Sequence, residues 1–316
     1  MSLTYAWSGR DGAGHLVSGG GVLDVATGVV PPLLGVDYST AASPEPNYNE
    51  GKWPVLRCYS ESNANGAWTN ATVKPKAICL TDDQKYPASN PTAMANGLRA
   101  FMTAWNSNPT RAQTVVYWAW RNEIFNEYTG AIPASVVTGF QLMRQVADEF
   151  PNLWTGVDAT TYTITSSDAA TRWAVIAPHL QFGACSLYPP GRTKTPVEFT
   201  AYAQYIAPVL DMFQAWGIPE FQMWETGSPI DHANPTTGAA NYQGTTDWAK
   251  RPAYFRDQLQ YIYDGCNVRG MWFSVGLYWN RQTTGSPVGP PNQWKHDRTK
   301  APADVATMWT SWTPSP

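Results

Sequence analysis

Val115-Val116-Tyr117-Trp118-Ala119-Trp120-Arg121-Asn122-Glu123 opens with six apolar or aromatic residues and ends abruptly in charge. A run of β-branched and aromatic side chains with no polar alternation reads as a strand buried on both faces, as in a parallel sheet. Phe221-Gln222-Met223-Trp224-Glu225-Thr226-Gly227 repeats the arrangement, with a glutamate where solvent should begin and a glycine that frees the chain to turn. The two glutamates stand 102 positions apart, from 123 to 225. That is close to three strand-helix units of a (β/α)8 barrel at roughly 31 residues each.

Working outward, eight short β-like runs are bounded by turn residues or helical patterns: Leu33–Ser39, Val55–Ser60, Ala77–Thr81, Thr114–Trp120, Trp154–Ala159, Leu180–Tyr188, Phe221–Trp224 and Gly270–Tyr278. Between or after them lie segments of helical period: Pro91–Trp105, Pro133–Phe150, Ser167–Ile176, Pro196–Trp216, Pro252–Tyr263 and Ala301–Trp312. Proline at a first helical turn sacrifices no useful N–H, and several of these segments begin with it. In Pro133–Phe150, Val136, Phe140, Met143 and Ala147 form a stripe able to pack on strands. Alternating strand and helix argues a parallel sheet, and eight strands argue a closed TIM barrel over residues 31–316.

The first two units break the pattern. Residues 40–54 are rich in Pro, Asn and Gly and 61–75 are short and polar, so both are expected to be irregular. Residues 1–30 are Gly-rich and read as an N-terminal extension, with a short strand or hairpin around Gly21–Val25. Turn-rich connections at 226–249 and 280–300 follow the last two strands on the side where barrel active sites form, and with 40–54 they are expected to shape a cleft.

Composition narrows the partners. Net charge is −3 and only 14% of residues are charged, against roughly 25% in an average domain, so no basic footprint for nucleic acid or anionic membrane exists. The N-terminus lacks a basic head followed by an apolar stretch, and no segment reaches roughly 18 uninterrupted apolar residues. The low charge leans toward an extracellular or virion-associated protein. Sixteen Trp and sixteen Tyr exceed what a core of this size demands; most are assigned to the core, and aromatic faces also suit sugar rings. Cys58, Cys79, Cys185 and Cys266 have no pairing or metal spacing and read as buried thiols. There is no H-E-x-x-H, C-x-x-C, G-x-S-x-G or P-loop, and the four histidines are scattered, so no metal or cofactor is expected. Nothing specifies an oligomeric state.

Two carboxylates at the ends of strands of one sheet are what glycosidic bond cleavage needs. Glu123 is the first candidate, with an Arg121–Glu123 ion pair sealing the rim as the alternative. Glu127, in a second Asn-Glu dipeptide four residues on, is its rival and should lie in the following loop. Glu225 is the other candidate, and a capped loop carboxylate is its plainer reading.

At this point the pattern resembles clan A, the 4/7 superfamily of retaining glycoside hydrolases. In that clan an Asn-Glu pair ends strand four, with the Glu as acid/base, and the nucleophilic Glu ends strand seven. Asn122-Glu123 and Glu225 are similar in position. Ile124 stands where the clan often has Pro, so no single family within it is assigned. The resemblance implies a retaining double displacement on a polysaccharide or oligosaccharide, with Asn122 holding the sugar 2-hydroxyl. Tyr188 would bond the nucleophile and Trp279 would floor the first subsite. Arg57 would be aimed at the nucleophile, or else form a rim pair with Asp37 or Glu61. Asp37 and Asp158 would bind hydroxyls or cap loops. A non-catalytic carbohydrate-binding barrel and a virion component that degrades cell-envelope glycan are the competing expectations.

Overall fold

The computed structural model describes residues 2–10, 16–24, 31–37, 53–82, 85–128, 130–160, 168–187, 203–226, 251–278, 308–309 and 311–315. The N-terminal segment forms an antiparallel hairpin, β1 (Ser2–Arg10) and β2 (Leu16–Asp24), the second of the two forms expected around Gly21–Val25, and a sheet of its own. All eight apolar runs are strands: β3 (Leu33–Asp37), β4 (Val55–Cys58), β5 (Ala77–Asp82), β6 (Val115–Trp120), β7 (Leu153–Thr160), β8 (Phe182–Leu187), β9 (Glu220–Thr226) and β10 (Trp272–Tyr278). Each pairs in parallel with its sequence neighbours, and β10 closes on β3. The molecule is a (β/α)8 TIM barrel, and its parallel strands bring all their C-terminal ends to one rim.

Helices α1 (Glu61–Asn70), α2 (Pro91–Asn106), α3 (Ala134–Glu149), α4 (Ala169–Trp173), α5 (Ala203–Ala215) and α6 (Arg251–Asn267) connect successive strands from β4 onward. Helix α1 corrects the expectation that 61–75 is irregular. Ser60 caps it by accepting the Asn63 N–H, and Ala64, Ala67 and Trp68 form its buried stripe. Its last carbonyls are satisfied by Lys74, whose Nζ donates to Trp68, Thr69 and Ala71. The Ser167–Ile176 segment is also shorter as an α-helix than expected. It tightens into a 3-10 turn over Ala174–His179 that contains Pro178, a residue with no N–H to continue α-helical bonding. Helix α5 ends at Gly217, whose φ of 71° lets the Ile218 N–H return to Phe213 O and delivers the chain into β9.

Two apolar layers result. Between strands and helices lie residues such as Val116, Trp118 and Trp120 of β6 with Phe140 and Met143 of α3. Inside the ring, small Ala77, Cys79, Ala119 and Ala184 accommodate large Tyr117, Trp154, Phe182 and Trp224. Most described tryptophans are core, as composition suggested: Trp105, Trp118, Trp120, Trp173, Trp224 and Trp309 are among the largest fully buried side chains. The four cysteines are buried.

Strand β9 carries one irregularity. Cys185 of β8 pairs with Met223 and Ser186 pairs with Glu225, so Trp224 is an extra residue, a β-bulge. Strict alternation from Glu220 would put Thr226 inside the ring. Instead its Oγ1 lies 2.7 Å from Gln258 Oε1 of α6, outside the ring, so the phase of the strand changes at the bulge.

Candidate active site

Strands β4 and β7, three places apart around the ring, contribute Arg57 and Asp158. Both side chains are fully buried, and Arg57 Nη2 lies 3.0 Å from Asp158 Oδ2. An ion pair in such a place needs further hydrogen bonds to offset the loss of water. Arg57 makes two. Its Nη2 also donates to Asn122 Oδ1 at 2.6 Å, and its Nη1 donates to the Trp224 carbonyl at 3.2 Å. The guanidinium carbon sits 4.7 Å from the Tyr59 ring centroid and 5.3 Å from that of Trp224. One planar cation therefore holds the residue before Glu123 and the residue before Glu225. Of the two rim partners expected for Arg57, the Asp37 side chain lies outside the described part of the structure and Glu61 is held elsewhere. Glu61 is engaged by Lys85 Nζ at 2.7 Å, and Asp158 takes Arg57.

Beyond β6 the backbone turns sharply. Arg121 and Glu123 have φ of 65° and 53°, left-handed values that cost a side-chain-bearing residue roughly 1–2 kcal/mol each. The turn lets Ile124 and Phe125 tuck back into the core, where Phe125 stacks on Trp173 at 4.3 Å. Burying these two residues offsets the strain and fixes Glu123 at the rim. Asn126 Nδ2 donates to Glu123 Oε2 at 3.0 Å, and Thr160 Oγ1, at the end of β7, donates to Asn126 Oδ1 at 3.3 Å. Arg121 does not pair with Glu123 as the rim-seal alternative supposed; its Nε binds Glu127 Oε1 at 2.8 Å. Glu127 follows a 3-10 turn over Ile124–Asn126, in the loop as expected.

Glu225 lies in β9 beside Ser186 of β8, three strands around the ring from β6 and on the same rim as Asn122 and Glu123. Its side chain lies outside the described part of the structure, as does that of Asp37, which ends β3 in register with Arg57. Tyr188 and Trp279 lie outside the described residues. Asp158 is an interior partner of Arg57. Among the described residues the structure thus brings Arg57, Asp158, Asn122 and Glu123 together and adds Tyr59, Asn126, Thr160 and Trp224. Asn126 carries a faint sequence signal, three positions after Glu123 at the spacing of one turn. Tyr59, Thr160 and Trp224 carry none.

Asp82, at the rim end of β5, is raised to about 6, mainly by burial, although the Tyr86 N–H donates to it at 3.1 Å. No group of His, Cys, Asp and Glu among the described residues is arranged to hold a metal ion, and no described helix is long and apolar enough to cross a membrane.

No protein-family model matches the sequence, and no curated protein matches it. Solved structures do. XacCel5A in complex with cellopentaose is similar at a TM-score of 0.52 and 11% identity, over 89% of this chain and 99% of that one. A calcium-binding mutant of Bacteroides uniformis beta-glucuronidase 2 is similar at 0.50 and 12% identity, over 87% of this chain and 33% of the other. An endo-beta-1,4-mannanase of Cellulomonas fimi gives 0.48 and 10% identity, over 81% of this chain. The chain spans 66% of that mannanase and about a third of the glucuronidase. The likeness to XacCel5A supports the barrel fold and nothing finer.

Proposed function

We propose that this barrel is a retaining glycoside hydrolase acting on a polysaccharide or oligosaccharide, with Glu225 as nucleophile and Glu123 as acid/base. One observation carries the reading: the buried Arg57 guanidinium bonds both Asn122 and the Trp224 carbonyl, tying together the residues that precede the two glutamates. Glu225 attacks the anomeric carbon while Glu123 protonates the departing oxygen. Water deprotonated by Glu123 then releases the sugar with its configuration retained. The αL turn and the Asn126 bond hold Glu123 for this proton transfer. The arrangement calls for carboxylates about 5–5.5 Å apart.

Asn122 has a defined task in this scheme. With Oδ1 committed to Arg57, its Nδ2 is the free end of the amide, a donor suited to the sugar 2-hydroxyl oxygen. Tyr188, Trp279 and Asp37 remain proposed sugar contacts, Tyr188 as the nucleophile's hydrogen-bond partner and Trp279 as a ring platform. The remote likeness to glycosidase barrels agrees with this reading. No cofactor enters it.

The test is a screen of plant and cell-wall polysaccharides for reducing-end release, followed by NMR of the first anomer formed from the best substrate. The expected result is retention, with release abolished in Glu225→Gln. An inverted first product removes Glu225 from its role. Binding without hydrolysis by the unmodified protein assigns a carbohydrate-binding barrel instead.

A further inference from the structure

A carboxyl that this mechanism does not use lies at the far end of the same strand. Glu220 begins β9 on the floor of the barrel and is only 2% exposed. Ser274 of β10 donates its hydroxyl to Glu220 Oε1, and Gln222 Nε2 donates to the same oxygen at 2.8 Å. Gln222 Oε1 in turn accepts the Trp224 Nε1–H at 2.5 Å and faces the Cys79 thiol at 3.9 Å. Trp224 then meets Arg57 twice, through its carbonyl and through its ring. Residues 220, 222 and 224 thus form a hydrogen-bonded file along the interior of one strand, ending at the bulge just before Glu225.

The chemistry of the file has a direction. A glutamine amide is nearly symmetric in shape but not in function, and Gln222 can meet the Trp224 N–H only with its oxygen toward the rim. The reverse orientation would set two donors against each other. An ionised carboxylate accepts hydrogen bonds and donates none, so Glu220 draws the NH2 end to the floor and selects the working orientation. Filling the barrel floor requires no carboxyl, since apolar side chains of similar volume serve buried positions as well or better.

We infer that Glu220 is a positioning residue: through Gln222 and Trp224 it sets the Arg57 guanidinium and the bulge that carries Glu225. This role rests on the proposed hydrolase reading for its effect on catalysis, whereas the file itself does not. Burial lifts the Glu220 carboxyl to about 7, against the pull of its bonds from Ser274, Gln222 and Tyr117. Among the described residues the titratable groups facing it are the Tyr117 phenol of β6, raised well above its ordinary value by burial, and beyond it the Cys79 thiol of β5.

The test uses full-length protein with 15N-labelled tryptophan, the Trp224 indole resonance being assigned from Trp224→Phe. Between about pH 5 and pH 9 that resonance should titrate with a midpoint close to neutrality, and it should be pH-independent in Glu220→Gln. On the best polysaccharide substrate, Glu220→Gln should lower kcat by about tenfold with KM within about twofold, because misplacement acts on the transition state. It should do so without lowering the urea midpoint. Gln222→Met, which breaks the file at its centre, should reproduce the kcat loss and abolish the titration even if the first variant fails to fold. An indole signal indifferent to pH in the unmodified protein, or kcat unchanged in both variants, overturns the inference. Absence of hydrolysis in the unmodified protein refutes the hydrolase reading and leaves the NMR result to decide the file alone.

Discussion

Arg57 and Asp158 show how one pair can decide both stability and site geometry. Removing one member of a buried pair strands the other as an uncompensated charge, at a cost of about 3–5 kcal/mol. Arg57→Ala should lower unfolding free energy in urea by that amount, and Arg57→Ala combined with Asp158→Asn should recover part of it. An unchanged midpoint in the single variant would show that the pair is unimportant to the folded barrel. Glu220 makes a prediction of the opposite kind. Its carboxyl moves from an ordinary 4.5 to about 7 in the fold, so between those values the folded chain holds a proton that the unfolded chain has lost. Stability therefore falls as pH rises through that window, by on the order of 3 kcal/mol, and levels off above it. Asp82, raised to about 6, slopes the same way but is common to both proteins, so the difference from Glu220→Gln isolates Glu220. Urea titrations at several pH values should show a flatter profile for the variant. Equal slopes would refute the assignment.

Elements succeed or fail as sequence signals according to what their buried faces are made of. Strand β6 is legible because nothing but a doubly covered strand tolerates Val-Val-Tyr-Trp-Ala-Trp, and all six of its residues are buried or nearly so. Helix α1 is not legible, because its buried stripe is two alanines and one tryptophan, and alanine is at home on either face of a helix. The bulge in β9 leaves no mark either, being a difference in register between two strands. Arg57 and Asp158 are 101 positions apart, so no local pattern could join them. Helix α3 shows what close packing asks of a sequence. A Cβ at Gly139 would stand 1.9 Å from Cζ3 of Trp120, a ring already set against Phe140, so only glycine lets α3 approach β6. Gly139→Ala should destabilise by about 1–3 kcal/mol despite alanine's better helix propensity. A thermal melt checks this, and an unshifted or raised Tm would mean that the helix simply moves away.

At the scale of the whole molecule, closure of the ring makes distant residues neighbours. Parallel strands put Asn122, Glu123 and Glu225 on one rim. If that rim performs double displacement, its two carboxylates must fail differently when each is removed. Loss of Glu225 should stop every substrate, since no covalent intermediate forms without it. Loss of Glu123 should depend on the leaving group. For a polysaccharide, whose alkoxide departs poorly, Glu123→Gln should slow turnover by about 10²–10⁴-fold. For an aryl glycoside with an acidic phenol, departure needs no proton, so a burst of phenol should precede slow hydrolysis of the trapped intermediate. Azide, which attacks without a general base, should restore turnover and yield a glycosyl azide of the substrate's own configuration. Stopped-flow absorbance and NMR of the product check both statements. An equal deficit on all leaving groups would remove Glu123 as acid/base, and the same burst and rescue in Glu127→Gln but not in Glu123→Gln would transfer the role to the carboxylate now held by Arg121.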